Sequence, residues 1–85
     1  MKVTILFFAN FKELLDCGSL EYELEEGATL QKLCENLSGK GRQWRAIFGN
    51  APTTVKASIN QEMADLQTVL SAGDEVAFFP PVTGG

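Results

Sequence analysis

The chain has 85 residues, 45% hydrophobic and 21% charged, with a formal net charge of −4 at pH 7. That is one small globular domain. Its scattered Lys and Arg form no phosphate-binding run, so nucleic acid is not an expected partner, and no apolar stretch approaches the roughly 20 residues that span a bilayer. Histidine is absent, which removes the commonest general base, the usual triads and most zinc sites.

Lys2–Phe8 reads as a strand of β-branched and aromatic residues, with Val3, Ile5 and Phe7 on the core face and Lys2, Thr4, Leu6 and Phe8 on the other. Lys2 ahead of Val3–Ala9 has a faint likeness to a secretory leader. The apolar part is short, however, no small-residue cleavage site follows, and Lys12-Glu13 come too soon. Phe11–Leu15 predicts a short helix with Asn10 as N-cap, Gly18 near its exit, and Phe11, Leu14 and Leu15 on one buried face.

Ser19–Glu25 alternates Leu20, Tyr22 and Leu24 with Glu21, Glu23 and Glu25, a half-buried strand with an acidic wet face. Alternate glutamates on a flat strand do not wrap a cation. After a Glu26-Gly27 turn, Thr29 caps a helix carrying Leu30, Leu33, Cys34 and Leu37 at i, i+3, i+4, i+7. Cys34 is thus a packed thiol, and Cys17 lies in the preceding turn. Neither cysteine has metal-type or CxxC spacing, which fits reduced, structural thiols in a cytoplasmic protein.

Gly39-Lys40-Gly41 lacks the flanking residues of a phosphate loop and reads as a helix-ending loop. Arg42–Phe48 resumes helix, with Trp44, Ile47 and Phe48 on one face and Gly49-Asn50 as the stop. A loop around Pro52 leads to a strand of Val55, Ala57 and Ile59. Asn60-Gln61 turns the chain into a brief return strand at Glu62–Ala64. Asp65–Leu70 is a connection with Leu66, Val69 and Leu70 tucked in, and Ala72-Gly73-Asp74 turns into the last strand, Glu75–Phe79. One sheet with a helix packed over one face, an α+β domain, is the expected architecture.

In the last strand Val76 and Phe78 face the core and Phe79 points out. If the first and last strands are neighbours, Leu6, Phe8 and Phe79 form an exposed apolar patch, the kind of surface that marks a partner site. Pro80-Pro81 ends the ladder and sends the chain out stiff and extended. The six residues from Pro80 to Gly85 reach about 20 Å at most, and Gly84-Gly85 can thread a slot too narrow for side chains. The domain is therefore read as residues 1–79 and the tail as 80–85, with the Gly85 carboxylate as the functional group.

A Gly-Gly ending on a strand-strand-helix-strand domain resembles the ubiquitin-like β-grasp proteins. More narrowly, Gly73 through Gly85, with Phe78-Phe79-Pro80-Pro81 at its centre, resembles the ending of the MoaD-type small, sulfur-carrying subunits of molybdopterin synthase. Leu6-Phe7-Phe8-Ala9 followed by Lys12-Glu13-Leu14 is similar as well. Through Ser19–Thr54 only the order of elements agrees. Lys12 stands where that family often has arginine, so a bidentate contact with a partner carboxylate is less well made.

The resemblance implies a β-grasp fold with the first and last strands adjacent and parallel at the sheet centre. It implies that Leu6, Phe8, Met63 and Phe79, with Pro80, Pro81 and Lys12, contact two partners: the large synthase subunit and an ATP-dependent adenylyltransferase of the ubiquitin-activating type. It further implies that Gly85, presented by Gly84, is adenylated and converted by a persulfide donor to a thiocarboxylate that gives sulfur to a cyclic pyranopterin precursor. The chain itself would bind no cofactor or metal, and ATP would belong to the activating partner. Rival readings are a carrier for thiamin thiazole or tungsten cofactor assembly, a ubiquitin-like modifier joined to lysines, and a plain binding module.

Overall fold

A computed structural model describes residues 1–51 and 53–81 of the chain. The elements are β1 (Lys2–Phe7), α1 (Asn10–Leu14), β2 (Ser19–Glu23), α2 (Leu30–Ser38), α3 (Arg42–Phe48), β3 (Lys56–Ile59), β4 (Glu62–Ala64) and β5 (Glu75–Phe79). The strands form one sheet in the order β2-β1-β5-β3-β4. β1 and β5 run parallel, and the other neighbours are antiparallel. This is the β-grasp arrangement, with the first and last strands side by side in the middle.

The period-two pattern decides which face is dry. Val3, Ile5 and Phe7 on β1, Ala57 on β3, and Val76 and Phe78 on β5 are buried. α2 covers that face with Leu30, Leu33, Cys34 and Leu37, the expected stripe. α3 adds Ile47 and Phe48. Around Phe7 the core is aromatic. Its ring meets Trp44 edge-on at 5.5 Å and lies 6.1 Å from Phe78, while Phe48 meets Phe78 edge-on at 4.8 Å. Such offset and edge contacts add to the burial of large rings.

The start of α2 shows how the connection after β4 is used. Thr29 Oγ1 accepts from the Lys32 amide at 3.2 Å, as its capping position predicts. The Leu30 and Gln31 amides donate to the carbonyls of Thr68 and Leu66, both at 2.9 Å. The Asp65–Leu70 segment therefore satisfies donors that a helix start leaves open. Leu70 is buried and Leu66 packs against the core. Val69 does not tuck in: it is exposed, because its bridge to Thr29 turns its side chain away from the core.

α1 departs from the sequence reading in three places. Its N-cap is Ala9, at φ 56°, and not Asn10, and no side chain caps it. Leu14 is exposed while Phe11 and Leu15 are buried. At its exit Asp16, and not Gly18, takes the left-handed conformation, at φ 51°. The Asp16 amide donates to Glu13 O and the Cys17 amide to Lys12 O, the paired bonds of a Schellman ending.

The β3–β4 hairpin turns on Asn60 and Gln61, at φ 51° and 72°, the two positive values a two-residue type I′ loop requires. Asn60 also reaches β5: its Oδ1 accepts the Glu75 amide at 3.0 Å and its Nδ2 donates to Asp74 at 2.9 Å. Gly73, at φ 85°, makes the turn into β5.

Candidate functional site: the outer sheet face at the root of the tail

The helices leave the second face of the sheet uncovered, and the strand register states what lies there. Leu6 is opposite Ala77, Ala77 opposite Ser58, and Ser58 opposite Met63. These four form one row across β1, β5, β3 and β4. Neighbouring strands lie ~4.8 Å apart, so Leu6 and Met63 stand roughly 14 Å from each other. The small side chains of Ala77 and Ser58 leave a shallow floor between two bulky ends.

The next row holds the root of the tail. The Phe8 amide donates to the Phe78 carbonyl at 3.0 Å, which extends the β1–β5 ladder one residue past β1. Phe8 thereby runs beside Phe79, and Phe79 is paired with Lys56. Phe8 is 49% exposed and Met63 67% exposed, large values for such apolar side chains. Leu6, Phe79, Pro80 and Pro81 are half-buried. The expected Leu6–Phe8–Phe79 cluster is therefore assembled, and Met63 belongs to the same face from the far edge.

Lys12 is exposed on α1, on the β2 side of the cluster. Its aliphatic stem lies over Gly18, so close that a Cβ there would sit 3.2 Å from Lys12 Cε. Gly18 in turn accepts the Phe7 amide at 3.0 Å. Lys12 is thus held at the same end of the sheet as Phe8, whereas Met63 lies on the opposite edge. Gly84 and Gly85, with Val82 and Thr83, lie outside the described residues, so of the expected 80–85 tail only Pro80 and Pro81 are placed.

The thiols take no part in this site. Cys34 is buried on α2, where burial foremost and the nearby Glu35 carboxylate second push its pKa up to about 12. It stays a neutral thiol at physiological pH, as a packed cysteine should. It lines a groove of about 450 Å³ with apolar neighbours that include Leu30, Ala57 and Leu66. Cys17 is half-buried, and its Sγ–H donates to the Ser19 carbonyl at 3.2 Å. Among the described residues no cluster of His, Cys, Asp and Glu could hold a metal ion, and no helix is long and apolar enough to cross a membrane.

Two features of the site went unread in the sequence: the floor made by Ala77 and Ser58, and the position of Lys56 beside Phe79. Their alternation pattern was visible, but only the strand order brings them into register with Leu6, Met63 and the tail root.

A model of the ThiS family matches residues 5–85. The chain belongs to the ThiS family. This ThiS-family chain is 37% identical over 83 residues to the molybdopterin synthase sulfur carrier subunit of Haemophilus influenzae, across 98% of this chain and 99% of that protein. Its fold is also similar to small archaeal modifier protein 1 of Haloferax volcanii, with a TM-score of 0.77, 25% identity and coverage of 95% and 98% of the two chains. A third likeness is to a protein-protein complex of subunits 1 and 2 of the molybdopterin-converting factor from Helicobacter pylori, with a TM-score of 0.70, 26% identity and full coverage of both chains. The fold of this ThiS-family chain is thus the ubiquitin-like β-grasp that its strand order describes.

Proposed function

We propose that this chain is the sulfur carrier of a molybdopterin synthase. The observation that carries the reading is the near-complete alignment, at 37% identity, with a protein named for that role. The outer sheet face supports it, because an exposed apolar cluster at the root of the tail is what a carrier needs to dock while its end reaches into a partner.

The chemistry asks little of this chain's side chains. A carboxylate is a poor electrophile, so an ATP-dependent adenylyltransferase joins the Gly85 carboxylate to AMP and releases pyrophosphate. A persulfide sulfur on the donor attacks the acyl carbon, and AMP leaves. A second thiol then cleaves the resulting acyl disulfide, taking up the donor as a disulfide and leaving the thiocarboxylate. Within the synthase that sulfur passes to a cyclic pyranopterin precursor, and the carboxylate is regenerated. Acid–base catalysis and the nucleotide site belong to the partners.

In this reading Leu6, Phe8, Phe79 and Met63 dock, Pro80 and Pro81 aim the tail, and Lys12 faces a partner carboxylate. The large synthase subunit and the activating enzyme use the face in turn. Deleting Gly84-Gly85 tests the assignment genetically. In a strain lacking this gene, the full chain restores molybdoenzyme activity and the shortened chain does not. Restoration by the shortened chain contradicts the proposal. The similarity to an archaeal modifier protein keeps one rival in view, and covalent adducts between Gly85 and partner lysines would favour it.

A further inference from the structure

The charges of this chain are sorted by position. No Asp or Glu occurs between Glu35 and Glu62, a stretch that holds Lys40, Arg42, Arg45 and Lys56. The fold brings those cations, with Lys12, to one end of the sheet. Lys56 is paired with Phe79 at the tail's root. Lys12 follows Phe8 on α1 and lies on Gly18, next to the end of β1. α3 is seated over the same end by Trp44 and Phe48, whose rings lie 5.5 and 6.2 Å from that of Phe7. Lys40 sits over the Trp44 ring at 5.1 Å, and Arg42 and Arg45 are exposed on α3.

The opposite end of the sheet is acidic. Glu23 faces Lys2, Glu21 and Glu75 flank Thr4 on either side, and Glu62 opens β4. The ion pairs found among the described residues, Lys2 with Glu21 and the Met1 amino group with Glu23, are both at that end. Lys12, Lys40, Arg42, Arg45 and Lys56 have no carboxylate partner among the described residues, although the chain holds 11 acids. Near them the acids are Glu13 and Asp16, on and just after α1, and Asp65, which follows β4 and lines the same groove as Lys56. A chain of net charge −4 thus presents a cationic collar around the base of its tail.

We infer that this collar is an electrostatic docking surface for protein partners whose tail-accepting slot has an acidic rim. The inference rests on the carrier reading and deepens it. Solvated cations left unpaired beside a contact surface contribute chiefly to encounter rate and orientation. The negative pole, turned away, disfavours approach by the wrong end. One collar can serve successive partners, because steering requires only matching charge around the slot.

The experiment is the association of the purified full chain with the molybdopterin synthase large subunit of its source organism, measured at low and physiological salt. Arg42→Gln/Arg45→Gln is compared with Lys2→Gln/Lys32→Gln, which changes net charge equally at other places. The collar variant should associate about fivefold more slowly at low salt and show a shallower salt dependence. The control should stay within about twofold, and dissociation of both should stay close to wild type. Equal slowing by both variants, or slowing by neither, overturns the inference and leaves the carrier reading standing. Failure of the wild type to associate at all overturns both. Binding of the wild type to a short DNA duplex that the collar substitutions abolish would reassign the surface to nucleic acid and overturn the inference.

Discussion

The amide of Phe8 donates to the carbonyl of Phe78 at 3.0 Å, one residue beyond the end of β1. That bond keeps Phe8 in strand register beside Phe79 instead of letting it leave with the turn at Ala9. The last strand is therefore gripped on both sides at the point where the tail departs, by Phe8 on one side and by Lys56 on the other.

Phe79→Asp and Met63→Asp should each weaken binding to the synthase large subunit. Central apolar anchors in an interface are worth about 2 kcal/mol, roughly thirtyfold in Kd. Met63 is 67% exposed, so its replacement should change stability by no more than about 0.5 kcal/mol. Calorimetric titration and a melting curve check both points. Unfolding by Phe79→Asp would show that Phe79 belongs to the core.

Phe78→Ala should cost about 3–5 kcal/mol. Phe78 is fully buried between Phe7 and Phe48, and a domain of this size has only about 5–15 kcal/mol in hand. Urea denaturation measures it. A loss below about 1 kcal/mol would contradict the aromatic core described here.

Asp16→Gly should stabilise the chain by about 0.5–1 kcal/mol. Asp16 holds φ 51° at the end of α1, a conformation that costs side chains about that much and glycine nothing. Thermal unfolding should show a higher melting temperature, and a lower one would mean that the Asp16 side chain contributes more than its backbone strain removes.

Cys34 makes stability depend on alkaline pH. Its folded pKa is raised from 9.0 to about 12, so between those values the unfolded thiol ionises while the folded thiol stays neutral. Its stabilising contribution is complete below pH 9 and declines as pH rises toward 12. The gap in unfolding free energy between wild type and Cys34→Ala should shrink by about 2–3 kcal/mol from pH 8 to pH 11. A constant gap would mean that the thiol ionises equally well in both states.

Much of this was legible in the residues because burial obeys period. Val3, Ile5 and Phe7, the α2 stripe with its Thr29 cap, and the Asn60-Gln61 hairpin all follow from spacing and turn chemistry. The failures share a cause. α1 has 5 residues, barely more than one turn, so the route of the chain out of β1 sets its orientation instead of its own apolar spacing. That route exposes Leu14 and gives Ala9 the cap position. Val69 is turned out by a single bridge to Thr29, a long-range pairing that a local pattern does not contain. The outer sheet face lay between these cases: alternation marked its members, and the resemblance supplied the strand order that joins them.

Intact-mass spectrometry of the chain after incubation with the activating enzyme, ATP and a persulfide donor tests the carrier function most directly. The expected result is one oxygen replaced by sulfur, localised to Gly85 by fragmentation and lost when ATP is omitted. An unchanged mass under conditions in which the same enzymes load a relative's tail would contradict the proposed function.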